Sequence, residues 1–223
     1  KRSLRRVTFS GVGAKSDYSC LAQEVGEKGI AYTLRAKGSE VRFNVSANVH
    51  VCENVAAVTA MAMELGLSTQ AVEAGLAAYS PVAQRFVQSR VGTWIFIDDT
   101  YNANPVSMAR SINEASRLAK GKRLVLVLAD MRELGEESGR AHRELGQLVA
   151  GSGASHCFFH GKHAADVQAG LAGFAGKFVP VIGPEEVQQT MNAMRGESGV
   201  MLFKGSRGCK MEQYYSFLER NWA

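Results

Sequence analysis

The sequence lacks several features that would each point to a particular class of protein. Its 223 residues contain no apolar run near the ~20 residues that a membrane-spanning helix needs. No apolar stretch of the signal-peptide kind follows the basic residues 1–6. The net charge is only +5, and no basic stripe of the kind that binds nucleic acid is present. We therefore expect neither membrane insertion nor a nucleic-acid partner.

Cysteine and proline are scarce, with four of each. The cysteines lie at positions 20, 52, 157 and 209. They form no CxxC pair and no cysteine–histidine pattern with zinc spacing. Three histidines cluster at 156, 160 and 163, but this pattern is typical of a strand end and its loop, so we expect no metal site. Free thiols suit a reducing compartment, which predicts a cytoplasmic protein.

The composition is that of a folded globular chain. A hydrophobic fraction of 46% is too high for a largely disordered protein. The length fits one large domain or two small ones, at roughly 100–200 residues per domain. Because the residue pattern changes near residue 88, we predict two domains, 1–88 and 89–223.

The first segment combines short strands with helices. Residues 1–45 alternate between apolar and polar and carry glycine turn signals, which predicts antiparallel strands joined by hairpins. An Ala-rich stretch at 54–65 predicts a buried helix, and a second helix is expected near 69–78 with Ser68 as its N-cap.

From residue 91 onward, continuous apolar strands alternate with amphipathic helices. Strands are predicted at 94–97, 124–128, 156–159, 178–182 and 200–203. Helices are predicted after Pro105, around 141–149, and over 162–172, 184–195 and 209–220. This alternation indicates a doubly wound, mostly parallel α/β domain with helices on both faces of its sheet.

Three polar segments directly follow strands of this domain, where open parallel sheets bind ligands. They are residues 98–105 (Asp-Asp-Thr-Tyr-Asn-Ala-Asn-Pro), 130–135 (Asp-Met-Arg-Glu-Leu-Gly) and 204–208 (Lys-Gly-Ser-Arg-Gly). In the first, the two acids suit ribose hydroxyls or a cation, Tyr101 suits a base, and the asparagines carry donors and acceptors. A structural alternative is an N-cap at Asn104 ahead of Pro105. The third suits a carboxylate or phosphate, although a plain basic turn is the alternative.

These segments together resemble a known family. In their order and spacing they are similar to the carboxy-terminal domain of the MurF branch of the Mur ligases. Residues 50–54 (His-Val-Cys-Glu-Asn) and 81–85 (Pro-Val-Ala-Gln-Arg) resemble the end of that family's central ATPase domain. The resemblance covers nearly the whole chain. It implies a Rossmann-like carboxy-terminal domain at 89–223, preceded at 1–88 by an α+β remnant of the ATPase domain.

The resemblance also implies an activity. A MurF ligase uses ATP and Mg²⁺ to add D-Ala-D-Ala to UDP-MurNAc-tripeptide through an acyl phosphate, in cytoplasmic peptidoglycan synthesis. The residues implied to bind ATP are His50, Asn54, Arg85, Asp99 and Tyr101. The residues implied to line the dipeptide site are Asn102, Asn104, Lys204, Ser206 and Arg207. We expect a monomer.

The chain departs from the family in what it lacks. It has no Gly-Lys-Thr phosphate loop, because residues 11–16 (Gly-Val-Gly-Ala-Lys-Ser) place Ala14 where that loop needs glycine. The family's Mg²⁺ ligands and carbamylated lysine are also missing, and Gln84 stands where the family has glycine. We expect a carboxy-terminal fragment that cannot ligate alone. The alternatives are a non-catalytic binding or regulatory module and another Mur or folylpolyglutamate-type ligase, although residues 102–105 argue against the latter.

Overall fold

The computed structural model describes residues 6–12, 15–26, 29–45, 52–79 and 82–222. His50 therefore lies outside the described residues. The chain divides into two compact units, residues 1–81 and residues 82–223. The assignment of residues 1–88 to a central ATPase domain, and of the rest to a carboxy-terminal domain, stays a prediction.

The described residues of the first unit form one four-stranded sheet and two helices. The strands are β1 (Phe9–Ser10), β2 (Tyr18–Gly26), β3 (Gly29–Ala36) and β4 (Ser39–Val45), paired in that order. Strands β2, β3 and β4 are antiparallel neighbours, as predicted, whereas the short β1 runs parallel to β2. The helices are α1 (Cys52–Glu64) and α2 (Thr69–Ala77). The Ser68 hydroxyl accepts a hydrogen bond from the Ala71 N–H, so the predicted N-cap is confirmed.

The cysteines correct one expectation. Cys20 on β2 and Cys52 at the start of α1 form a disulfide, with their Cα atoms 6.0 Å apart. Cys157 and Cys209 are free and buried. The expectation of four free thiols is therefore wrong for the first pair, because both of its side chains face the same small core.

The second unit contains a six-stranded sheet. Its strands are β5 (Val87–Val91), β6 (Trp94–Asp99), β7 (Arg123–Ala129), β8 (His156–His160), β9 (Lys177–Pro180) and β10 (Gly199–Lys204). The order across the sheet is β5-β6-β10-β7-β8-β9, in which β5 is antiparallel to β6 and the other neighbours are parallel. The edge strand β5 was not predicted, since its sequence Val-Gln-Ser-Arg-Val has apolar residues only at its ends.

Helices cover both faces of this sheet. They are α3 (Pro105–Ala119), α4 (Ser138–Gly151), α5 (Ala164–Ala169), α6 (Pro184–Met191) and α7 (Glu212–Asn221). On one face, Ile112 of α3 and Leu145 of α4 pack with Leu126 of the sheet. On the other, Leu218 of α7 packs with Phe96. The predicted doubly wound α/β class is confirmed. Within the described residues, no helix combines the length and apolarity required to span a bilayer.

Helices α4 and α5 approach closely through two glycines. A Cβ at Gly146 would run into the carbonyl oxygen of Val167, and one at Gly170 would run into that of Arg143. Only residues without a side chain permit this contact, since a methyl group would push the two backbones apart.

We expect Gly146→Ala to lower the free energy of unfolding by about 1–3 kcal/mol, because it overpacks the α4–α5 contact. The matched control is Gly151→Ala at the end of α4, where a Cβ meets nothing within 4 Å. That variant should gain about 0.5–1 kcal/mol from the lower entropy of its unfolded chain. Urea unfolding followed by the fluorescence of Trp94 and Trp222 reports on this unit. Equal effects in the two variants would show that the α4–α5 contact does not require glycine at position 146.

Candidate functional site

The candidate site is built on the carboxyl ends of three adjacent strands. In the register of the sheet, Lys204 at the end of β10 lies opposite Asp99 at the end of β6 and opposite Leu128 near the end of β7. The three polar segments predicted from the sequence therefore leave the sheet side by side.

An ion pair lies at the base of this edge. Lys204 Nζ donates to Asp99 Oδ2 at 2.6 Å and to the carbonyl oxygen of Asn102 at 3.1 Å. Asp99 Oδ2 also accepts from the Ser111 hydroxyl at 2.5 Å, and Oδ1 accepts from the Phe86 N–H at 3.1 Å. Lys204 is only 2% exposed. Burial lowers its pKa, and the Asp99 carboxylate opposes that shift.

Asp98 and Asp99 do not act as a pair. Asp99 contacts α3 through Ser111, whereas the charge of Glu212 on α7, which covers the opposite face, helps raise the pKa of Asp98. Asp98 Oδ1 accepts from the Thr100 hydroxyl at 2.7 Å. Burial raises the Asp98 pKa, and the two neighbouring carboxylates add to this effect. The two adjacent acids therefore have different partners within the protein.

Ser206 connects all three segments. Its Oγ accepts from the Arg132 N–H at 2.8 Å and donates to the carbonyl oxygen of Ala103 at 3.3 Å. Its own N–H donates to the carbonyl oxygen of Asp130 at 3.0 Å. Since Ser206 is buried, these bonds fix the loops to one another.

Tyr101 presents an exposed aromatic face at the same edge. It is 42% exposed, and the guanidinium carbon of Arg85 lies 4.1 Å from its ring centroid. The guanidinium carbon of Arg207 lies at 5.7 Å, and this side chain donates to Gln84 Oε1 at 2.6 Å. Two cations beside one aromatic ring suit a ligand with a flat ring and negative charge.

The two asparagines have different surroundings. Asn104 Oδ1 accepts from the Ser107 N–H at 2.8 Å, and the Asn104 N–H donates to the Ser107 hydroxyl in a capping box. The structural alternative for Asn104 is thus realised. The Asn102 side chain is exposed. In the first unit Asn54 is exposed on α1, and its contact with adenine stays a prediction.

Two buried polar residues near this edge were missed from the sequence. Ser111 supports Asp99, and the His142 ring on α4 accepts from the N–H of Met131 at 3.0 Å. The available signal was a polar residue inside the apolar stripe of an amphipathic helix, beside Ile112 in α3 and Ala141 in α4. Among the described residues, no group of three His, Cys, Asp or Glu side chains is arranged to hold a metal.

These features define an α/β domain with a candidate site at the carboxyl edge of its mostly parallel sheet. The sequence profile of the family described as "Mur ligase, glutamate ligase domain" matches residues 84–207. The chain therefore belongs to the Mur ligase family.

Individual relatives agree with this membership. The chain is 32% identical to the UDP-N-acetylmuramoyl-tripeptide–D-alanyl-D-alanine ligase of Haemophilus influenzae over 206 residues, 88% of this chain and 43% of that protein. It is 30% identical to the enzyme of that name from Escherichia coli over 220 residues, 96% and 47% of the respective chains. A crystal structure of MurF from Acinetobacter baumannii matches with a TM-score of 0.81 at 26% identity, covering 96% of this chain and 47% of that one. The predicted resemblance to MurF is confirmed, and the chain spans about half the length of these relatives.

We expect Lys204→Met to lower the free energy of unfolding of the second unit by about 3–5 kcal/mol, because it leaves the Asp99 carboxylate without its cation. The matched control is Lys177→Met on β9, where the lysine is exposed and the change should stay within about 0.5 kcal/mol. Tryptophan fluorescence during urea unfolding measures both. A loss no larger than that of the control would show that the ion pair does not hold the edge together.

We expect Asn104→Ala to destabilise the second unit by about 1 kcal/mol through loss of the α3 cap, while Asn104→Asp keeps the cap. The same unfolding measurement tests both variants. Full stability in Asn104→Ala would contradict the capping role.

Proposed function

We propose that this chain is the carboxy-terminal part of an ATP-dependent amide-forming ligase that joins D-Ala-D-Ala to UDP-MurNAc-tripeptide through an acyl phosphate. The observation that carries the proposal is the half-exposed Tyr101 with the guanidinium groups of Arg85 and Arg207 beside its ring, in a chain whose relatives of that name match it over most of its length. The reaction belongs to peptidoglycan precursor synthesis, for which we propose a cytoplasmic location and a monomer.

The nucleotide side of the site is assigned to Arg85, Asp99 and Tyr101. The Tyr101 ring offers a stacking surface for the base, and the adjacent Arg85 guanidinium offers charge for phosphate oxygens. Among the described residues, Asp99 Oδ1 accepts from the Phe86 N–H. Because a carboxylate oxygen accepts more than one hydrogen bond, Oδ1 keeps capacity for a ribose hydroxyl.

The dipeptide side is assigned to Arg207 and Asn102. Both side chains are exposed, and a guanidinium suits the terminal carboxylate of D-Ala-D-Ala. Lys204 and Ser206 are buried and bonded within the protein, so we assign them positioning roles rather than direct contacts. Asn104 acts on the site through the start of α3.

Mg²⁺ in this reaction would neutralise the charge that develops on the transferred phosphoryl group. We assign no Mg²⁺ ligand to the described residues. Our proposal for this chain is positioning of the nucleotide and the dipeptide, with phosphate and metal binding supplied by the remainder of the ligase.

The test uses the gene product that contains this chain, supplied with ATP, UDP-MurNAc-tripeptide and D-Ala-D-Ala. We expect formation of UDP-MurNAc-pentapeptide, detected by mass spectrometry, together with one ADP for each product. Tyr101→Ala should raise the KM for ATP about tenfold, since stacking on one base is worth roughly 1–3 kcal/mol.

The matched control is Tyr79→Ala, a tyrosine of similar exposure (45%) in the first unit, which should leave the KM for ATP unchanged. Absence of any pentapeptide product would contradict the ligase proposal and favour a non-catalytic binding module. Pentapeptide formation with an unchanged KM in Tyr101→Ala would contradict the role of Tyr101 alone.

A further inference from the structure

A fully buried histidine lies directly behind the candidate site. His142 of α4 is 0% exposed, and both of its ring nitrogens have partners. Nδ1 lies 2.7 Å from the carbonyl oxygen of Ser138, and Nε2 accepts from the N–H of Met131 at 3.0 Å. A carbonyl can only accept and an N–H can only donate. The two bonds therefore require a neutral ring with its proton on Nδ1.

The bond to Met131 holds the start of the loop that follows β7. The next residue, Arg132, donates its N–H to Ser206 Oγ, and Ser206 Oγ donates to the carbonyl oxygen of Ala103. A short series of hydrogen bonds thus runs from the His142 ring to the two loops that carry Tyr101 and Arg207. His142 itself is too deeply buried to touch a ligand.

The charged and titratable groups around the ring come from three elements. Asp130 Oδ1, directly after β7, lies 3.6 Å from Nε2. The His163 ring, just before α5, stacks on His142 with a centroid distance of 4.2 Å. His163 Nδ1 lies 2.8 Å from Asp166 Oδ2 on α5, and Arg143 of α4 acts on the same carboxylate.

These surroundings favour the neutral ring. Burial lowers the pKa of His142, and the neighbouring His163 adds to this effect. The Ser138 carbonyl and the carboxylates of Asp130 and Asp166 oppose it. Because burial is the largest contribution, the pKa of the His142 ring lies below its ordinary value.

We propose that His142 is a positioning residue for the ligand-binding loops, whose neutral ring holds the Met131 N–H and thereby the Arg132–Ser206 contact. Protonation of Nε2 removes the acceptor and presents a donor to Asp130 Oδ1 instead. The Met131 N–H then loses its partner, and the loop that follows β7 is held less firmly against Ser206. The consequence for ligation rests on the function proposed above, whereas the hydrogen-bond series does not.

The first test needs no enzymatic activity. Nitrogen NMR of the 223-residue chain should show His142 protonated on Nδ1 and unprotonated on Nε2 at about pH 7.5. The Met131 amide should exchange with solvent about tenfold faster in His142→Leu than in the unmodified chain. A proton on Nε2 at that pH, or unchanged exchange, would overturn the proposal whatever reaction the protein catalyses.

The second test measures the KM for D-Ala-D-Ala in the gene product that contains this chain. His142→Gln keeps an acceptor near the Nε2 position but does not titrate, and His142→Leu has no acceptor. We expect a KM within about threefold of the unmodified enzyme for the glutamine variant and about tenfold higher for the leucine variant. As the pH falls below about 6.5, the ordinary pKa of histidine, the KM should rise in the unmodified enzyme and stay flat in His142→Gln.

The matched control is His156→Gln. His156 lies at the amino end of β8, away from the carboxyl edge of the sheet, so this variant should keep the pH profile of the unmodified enzyme. An identical rise in KM at low pH in His142→Gln would overturn the positioning role. Glutamine does not titrate, so the rise would then come from a group other than the His142 ring. If His142→Leu does not fold, the pH dependence of the KM in His142→Gln and the NMR of the His142 ring nitrogens test the positioning role. Absence of ligation in the unmodified gene product would contradict the proposed function and leave the NMR test to decide the role of His142.

Discussion

The carboxyl edge of the second unit depends on one buried ion pair. Removing an ammonium group from water costs several kcal/mol, and a close carboxylate with further hydrogen bonds must offset that cost. Lys204 meets this requirement through Asp99 and the carbonyl oxygen of Asn102. Because these groups belong to two neighbouring strands and the loop between β6 and α3, the pair fixes the position of that loop. Tyr101 lies in this loop, next to Asn102, so the ion pair also fixes the position of the Tyr101 backbone.

At this edge, the residues that fix the loops differ from the residues that are accessible to a ligand. Lys204, Ser206 and His142 are buried, and their polar atoms are bonded to other parts of the protein. Tyr101 and Arg207 are exposed, and they lie on the loops that these buried residues join. The arrangement has a physical reason, since a buried polar group is costly unless it is bonded, whereas an exposed one stays available to a ligand. A substitution in the buried layer should therefore alter stability and site geometry together.

Most of the fold followed from hydrophobic periodicity. Continuous apolar runs such as that of β7 occur in strands buried on both faces, and Asn104 with Pro105 marked the start of α3. Strand β5 was missed because an edge strand buries little and so carries a weak apolar pattern. The Cys20–Cys52 disulfide was missed because a pairing between residues 32 positions apart depends on tertiary packing.

The candidate site was predictable as a set of loops but not as a set of roles. The sequence places Asp98 and Asp99 side by side, yet alternation along a strand directs them to opposite faces, so only Asp99 joins Lys204. Likewise, Lys204 and Arg207 are both cations in one loop, but Lys204 ends a buried strand and Arg207 begins an exposed turn. Whether a polar residue supports the site or faces its ligand depends on burial, which local sequence does not specify. Roles carried over from a family by motif therefore need the burial of each side chain before they separate binding from positioning.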